Sequence, residues 1–347
     1  MGKIYQETKP KINKIIKKMK EQFRDWTPKG KIKVKYWVDK EKGVYDYWLT
    51  TAEELFDHIK KVVEDYIDMD IKLTNRQLFY QLVANGWIPN ADEVYKKVCE
   101  FLTDCRYAGL IDWDAIEDKD RTPTIPLQFK NIQERIDLAV RNFRLPRWSD
   151  QEYYAEMYCE KKAGINVLQP IADAYHITFG FNKGYSSASA MYELAKRMAD
   201  KVREGKKCRL LYFGDHDSSG LDMVRDIHVR VCEFLTAGDE VMDIVGDDED
   251  NPSFKIEHIA LTGPQIRKYN PPPNPAKMSD PRAKWYVKEY GNKSWELDSL
   301  NALELRNIAE RSVQQFLDVD KFNAWIKRED SEKKSLRDFG NKMGKKK

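Results

Sequence analysis

The run Leu210-Leu211-Tyr212-Phe213-Gly214-Asp215-His216-Asp217-Ser218-Ser219-Gly220 constrains this chain more than any other. An apolar stretch stops at two carboxylates spaced i, i+2, and a glycine follows. Residues two apart on an extended strand point the same way. Asp215 and Asp217 are therefore expected to aim together past the end of a buried strand, with His216 turned to the opposite side. Close carboxylates repel each other. A hard cation such as Mg²⁺, which prefers oxygen ligands and keeps several waters, is their natural partner. A site of that kind handles phosphate. From this motif alone, a strand ending in a solvated, Asp-rich turn reads the same way.

The surrounding pattern adds context. Upstream, Tyr158-Cys159-Glu160-Lys161-Lys162-Ala163 again closes a short apolar run with a carboxylate. Strand-like runs at Tyr153–Cys159, Ile177–Phe181 and Arg209–Phe213 alternate with helix-like runs at Ile165–Tyr175, Ala188–Arg203 and Leu221–Leu235. In the second of these helices Met191, Leu194, Ala195, Met198 and Val202 recur at helical period, and Gly205 suits the C-terminal cap. A β-α-β-α-β-α order predicts a parallel sheet with helices on its faces, and so an α/β fold. Ligands of such sheets gather at the carboxyl ends of the strands. Glu160, Asp215 and Asp217 all fall at such ends, which makes one shared metal site geometrically sensible.

Glu160 with Lys161-Lys162-Ala163, then Lys183-Gly184-Tyr185, then Asp215-His216-Asp217-Ser218-Ser219-Gly220, resembles the Toprim domain of topoisomerase VI A subunits and of the related meiotic double-strand-break transesterase. The resemblance implies that Glu160, Asp215 and Asp217 hold Mg²⁺. It departs at Ser218, where the family usually has proline, and at Ser186-Ser187, where it tends to have Pro-Asp. Trp295-Glu296-Leu297-Asp298-Ser299-Leu300 is similar to a Glu-Leu-x-Ala-Leu segment near the family's C-terminus.

The family also carries a nucleophile on an upstream winged-helix domain. Thr74-Asn75-Arg76-Gln77-Leu78-Phe79-Tyr80 is similar to its Arg-x-x-Tyr/Phe-Tyr segment. Thr74 with Gln77 reads as a capping box, so a helix starts here, and Gly86 ends it. Leu78, Phe79, Leu82 and Val83 share one arc of that helix, while Tyr80 lies off it, one turn beyond Arg76. A tyrosine outside the core stripe and beside a cation suits attack on a phosphodiester, since the cation favours the phenolate. An amphipathic tyrosine packed at a domain edge fits the same spacing.

The resemblance implies a winged-helix domain followed by a Toprim domain, and Mg²⁺-dependent DNA strand cleavage in which Tyr80 becomes joined to the 5′ end. It also implies a homodimer in which the tyrosine of one protomer meets the metal of the other, with an ATPase B-type subunit in trans for a full topoisomerase. The chain is compact for the A type and looks most like the short stand-alone mini-A proteins. Toprim domains also serve hydrolytic nucleases of plasmid- and phage-defence systems, which need the same carboxylates and no tyrosine. A winged-helix binding module on an inactive scaffold is a third reading, against which the intact three acids argue.

Composition narrows the class. Of 347 residues, 34% are charged and 41% hydrophobic, which suits a globular chain of two or more domains. No apolar run approaches the ~18 residues a membrane helix needs, and the N-terminus carries no apolar signal core, so a cytoplasmic location is expected. Five scattered cysteines with no C-x-x-C pair read as reduced thiols. The net charge of +3 is uneven: residues 1–30 and residues 333–347 each carry +6, leaving −9 for the middle. Basic ends fit a DNA partner, although solvated tails would look alike. There is no P-loop and no G-x-G-x-x-G.

Four segments are expected. Residues 1–69 hold a basic amphipathic helix from Ile12 to Trp26, a hairpin at Lys31–Leu49 and a helix capped by Thr51. Residues 70–145 form the winged helix, with a second helix capped by Asn90 and a strand and wing after Ala108. Lys96, Lys97, Arg106, Lys119 and Arg121 are placed there to meet phosphates. Residues 150–262 form the metal-binding domain, including an acidic loop at Asp247-Asp248-Glu249-Asp250. Residues 263–347 open with the stiff Pro271-Pro272-Pro273-Asn274-Pro275 and continue as a helical extension over about 296–328 with a basic tail.

Overall fold

The computed structural model describes residues 21–23, 25–69, 71–116, 126–161, 164–181, 186–236 and 252–344. Most of the expected N-terminal basic helix, the acidic loop, the Lys183-Gly184-Tyr185 motif, Lys119 and Arg121 therefore lie outside the described residues. The chain divides into two compact units, Met1–Lys119 and Asp120–Lys347.

In the first unit the alternating Lys-Ile-Lys-Val pattern forms β1 (Lys31–Asp39), paired antiparallel with β2 (Val44–Thr51). Alternation sends Ile32 and Trp48 inward and leaves the lysines outside. Thr51 closes a capping box with Glu54 and starts α1 (Ala52–Asp68), whose Leu55, Ile59, Val62, Val63 and Tyr66 are buried. A second capping box, Thr74 with Gln77, starts α2 (Asn75–Ala84) as its sequence predicts. Gly86 follows at φ +73°, the left-handed conformation that favours glycine.

One expectation fails here. Helix α3 (Asp92–Tyr107) is capped by Ala91 with no side-chain hydrogen bond, and not by Asn90. Its start is fixed instead by the burial of Val94, Val98, Phe101, Leu102 and Cys105. Beyond Ala108 the chain makes a short 3₁₀ turn, Trp113–Ala115, and a single bridge between Leu73 and Ile116. The rest of the expected wing lies outside the described residues.

The second unit opens with α4 (Ile132–Asn142) and then builds a four-stranded, all-parallel sheet. Chain order gives β3 (Tyr153–Cys159), α5 (Ile165–Tyr175), β4 (Thr178–Phe181), α6 (Ala188–Arg203), β5 (Lys207–Phe213), α7 (Ser218–Thr236) and β6 (Phe254–Ala260). The spatial order is β4-β3-β5-β6, so β3 and β5 are the central strands. Tyr158, Cys208, Leu210, Tyr212 and Phe254 face a core shared with Met191, Leu194 and Met198 of α6 and Met223, Ile227 and Val231 of α7. The alternate residues Met157, Cys159, Leu211 and Phe213 are buried too, so both faces of the sheet are covered.

The C-terminal region holds α8 (Gly263–Tyr269), a two-residue ladder of β7 (Asn274–Pro275) with β8 (Lys293–Ser294), and α9 (Ala283–Tyr290) between them. Two longer helices follow, α10 (Ala302–Gln314) and α11 (Val319–Gly344). The helical extension thus reaches further than expected. Among the described residues, no helix is long and apolar enough to cross a membrane.

Candidate metal centre

Glu160 follows the last residue of β3, and Asp215 lies two residues past the end of β5. The strands are neighbours in parallel register, Cys159 opposite Phe213, so their carboxyl ends lie side by side. The Glu160 backbone N–H donates to the Phe213 carbonyl at 2.8 Å, which extends the ladder by one rung. Glu160 Oε2 in turn accepts the Asp215 backbone N–H at 2.7 Å. Two acids 55 residues apart are thereby joined through one hydrogen bond.

The loop between β5 and α7 is gripped from three sides. Gly214 donates its N–H to Ala260 and accepts from Leu261. His216 exchanges both backbone hydrogen bonds with Trp295, at 2.8 and 3.1 Å. Tyr286 donates its hydroxyl to the His216 carbonyl at 2.8 Å. The His216 ring sits among Tyr286, Tyr290 and Trp295. Two glycines permit this crowding. A Cβ on Gly214 would fall 2.8 Å from Glu160 Oε2, and one on Gly220 would strike the Asp215 carbonyl and stand 3.0 Å from the same carboxylate oxygen.

Asp215 and Asp217 do not continue the strand as a matched pair. Asp215 Oδ1 accepts the Leu297 N–H at 2.9 Å, and its Oδ2 is ion-paired with the Lys161 ammonium. Asp217 Oδ1 accepts the N–H groups of Ser219 and Gly220 and the Ser219 hydroxyl, at 2.8 to 3.0 Å. These are orphan donors of a helix start, which explains why α7 begins at Ser218 and not at Leu221.

Charge is crowded here. Burial and the Asp215 carboxylate push Glu160 up to about 8; the Asp215 N–H and Lys161 pull the other way, and Asp217 adds to the rise. Burial also raises Asp215, against the pull of Lys161. Lys161 reaches Glu296 as well, at 3.5 Å, and Asp215 and Glu296 hold its ammonium charged against the cost of burial. Lys277 stands 3.7 Å from Asp217 Oδ2. The sequence motifs do not point to Lys161, Glu296 or Lys277. Glu296 does lie in the Trp295–Leu300 segment, and Lys161 adjoins Glu160.

The donor set suits Mg²⁺ in chemistry: every candidate atom is a hard carboxylate oxygen. Among the described residues, no three acidic, imidazole or thiol side chains stand in ready-made ligand geometry. Mg²⁺ asks for less than that, since it is commonly held by one or two carboxylates with waters completing the shell.

Tyr80 departs from its expected place. The residue is only 1% exposed, because α2 is enclosed beyond its apolar arc: Gln77 and Gln81 are buried along with Leu78, Phe79 and Leu82. The neighbouring cation is where the spacing puts it. Arg76 donates to Tyr80 Oη at 3.2 Å and lies over the Tyr80 and Tyr95 rings.

No family model, no curated protein and no solved structure matches this chain.

Proposed function

We propose that the chain is a Mg²⁺-dependent DNA-cleaving enzyme of the topoisomerase VI A type, with a winged-helix region over 70–145 and a Toprim-like domain over 150–262. One observation carries the reading: Glu160 and the Asp215–Asp217 loop meet at the adjacent carboxyl ends of central parallel strands. Glu160, Asp215 and Asp217 are the residues that would hold Mg²⁺. When bound, the ion would offset phosphate charge and orient the scissile group.

In this reading Tyr80 Oη attacks the backbone phosphorus. A phosphotyrosine bond forms at the 5′ end and the bond to the 3′ oxygen breaks. The phenolic proton leaves Tyr80, and the departing 3′ oxygen takes one up. Arg76 orients the phenol through its hydrogen bond and supplies charge against the phosphate. A homodimer, an ATPase B-type partner in trans and a cytoplasmic site of action belong to the same proposal.

The burial of Tyr80 favours a second reading, metal-dependent hydrolysis, because a phosphodiester reaches its Oη only if the side chains around it move. Incubating wild type and Tyr80→Phe with supercoiled plasmid and Mg²⁺ separates the two. Transesterification leaves protein covalently on DNA ends in wild type, and neither adduct nor nick in the variant. Hydrolysis leaves free ends with both proteins. Wild type that cuts no DNA in Mg²⁺ overturns both readings.

A further inference from the structure

The β1–β2 hairpin carries a face that the proposed chemistry does not use. Its register places Lys31 opposite Thr51, Lys33 opposite Leu49, Lys35 opposite Tyr47 and Trp37 opposite Tyr45. Those side chains share one face, and Ile32 and Trp48 belong to the other, buried one. The outer face presents three lysines and three aromatic rings and no carboxylate; Asp46 lies on the inner side, hydrogen-bonded by Tyr36.

The aromatic residues are open to solvent: Trp37 is 39% exposed, Tyr47 43% and Tyr45 48%. They form a ladder of edge-to-face contacts, Trp37 to Tyr45 at 5.9 Å and Tyr45 to Tyr47 at 5.6 Å between centroids. The lysines are held down on the ladder. Lys33 Nζ lies 4.2 Å from the Tyr47 centroid, and Lys35 Nζ lies 3.7 Å from that of Tyr45 and 4.9 Å from that of Trp37. Large exposed rings cost solvation, and monomers rarely leave several together without a use for them.

We propose that this face is a binding platform for an unpaired nucleic-acid strand. Cations without competing carboxylates call for a polyanion. The rings call for a partner with flat π-faces, and bases stacked on aromatic side chains beside a basic track are how unpaired strands are held. Spacing agrees with this. Lysines two apart on a strand recur every ~7 Å, wider than the ~3.4 Å rise per phosphate of a stacked strand, so they suit a backbone whose bases are splayed onto the rings. The platform extends the DNA-directed reading but stands on residues apart from the acids and Tyr80, so either can fail alone.

The test is fluorescence anisotropy on the full chain with a labelled oligo-dT strand and a labelled duplex of equal length, at several salt concentrations. The variants are Trp37→Ala/Tyr45→Ala/Tyr47→Ala and Lys31→Ala/Lys33→Ala/Lys35→Ala, both at exposed positions, with circular dichroism to verify the fold. The aromatic variant is expected to lose at least about tenfold in single-strand affinity, the loss of one or more base stacks, and little on the duplex. The lysine variant is expected to flatten the single-strand salt slope by about 2, from three phosphate contacts. Equal single-strand binding by wild type and the aromatic variant overturns the proposal. So does a loss seen with phosphatidylserine vesicles and not with DNA, which would make the face a membrane contact. Plasmid cleavage by wild type in Mg²⁺, measured in parallel, separates failure of the platform from failure of the metal centre.

Discussion

Two buried carboxylates in the same unit are treated in opposite ways. Glu329 of α11 is fully enclosed and fully answered. Arg147 grips it with Nη2 at 2.9 Å and Nε at 3.2 Å, the Leu145 N–H donates at 3.0 Å, and Lys333 pairs with it at 2.6 Å. Burial alone would raise its carboxyl, but the Arg147 and Lys333 hydrogen bonds and the Leu145 N–H outweigh burial and bring it down to about 2. Among the described residues Glu160 receives one backbone N–H, the nearby Lys161 is ion-paired with Asp215 and Glu296, and burial together with the Asp215 charge holds Glu160 up at about 8. A buried acid whose partners match its charge is structural. One held up by burial and by a neighbouring carboxylate is a candidate functional group.

The strongest way to break this contrast is to delete the two aspartates that share the Glu160 cluster. Asp215→Ala or Asp217→Ala should lower Mg²⁺-dependent plasmid cleavage by about 10³-fold or more, equivalent to roughly 4 kcal/mol of lost transition-state stabilisation. Initial rates on supercoiled plasmid give the answer. Cleavage within tenfold of wild type in both variants would remove the metal reading and leave the cluster as a charge-crowded helix cap.

Sequence made one half of the contrast legible and hid the other. The two carboxylate-ended runs placed Glu160 and Asp215 at strand ends correctly, because in a sheet buried on both faces the apolar run stops where the strand does. Thr74 and Gln77 announced their capping box for a similar reason: the interaction is local. The Glu329 latch joins residues 182 apart in sequence, and Lys161 meets Glu296 across 135. No periodicity encodes such pairs. Tyr80 was misplaced because a helical arc locates one buried face and is silent about what covers the other. Asn90 failed as a cap since a good capping residue competes with whatever the tertiary burial of the following turn demands.

A second break acts on the answered acid. Glu329→Ala leaves Arg147 and Lys333 facing an emptied, uncharged site, and losing one member of a buried pair costs about 3–5 kcal/mol. Thermal or urea unfolding should show that loss, with plasmid cleavage unchanged at temperatures where the variant is folded. The pH dependence has a fixed sign. Glu329 is lowered in the folded state, so its contribution is complete above its ordinary value near 4.5 and disappears as pH falls toward 2. Wild-type stability should fall through that window more steeply than the variant's. Parallel curves would mean the latch is worth little.

The finest test reverses the sign at the other acid. Glu160 is raised when folded, so keeping it ionised there costs stability. Below about 4.5 the carboxyl is protonated folded and unfolded alike, and the cost is nil. It grows as pH climbs from there to about 8, and is constant above. Glu160→Gln keeps an oxygen that can accept the Asp215 N–H and removes the charge. In Mg²⁺-free buffer it should therefore be more stable than wild type at pH 7.5 by roughly 1–3 kcal/mol, and equal to it near pH 4.5, by chemical denaturation at both. Added Mg²⁺ should raise the melting temperature of wild type and not of the variant, since a ligand stabilises only the state that binds it. A destabilised Glu160→Gln with an unchanged response to Mg²⁺ would put Glu160 in the same class as Glu329, a structural acid at the end of a strand.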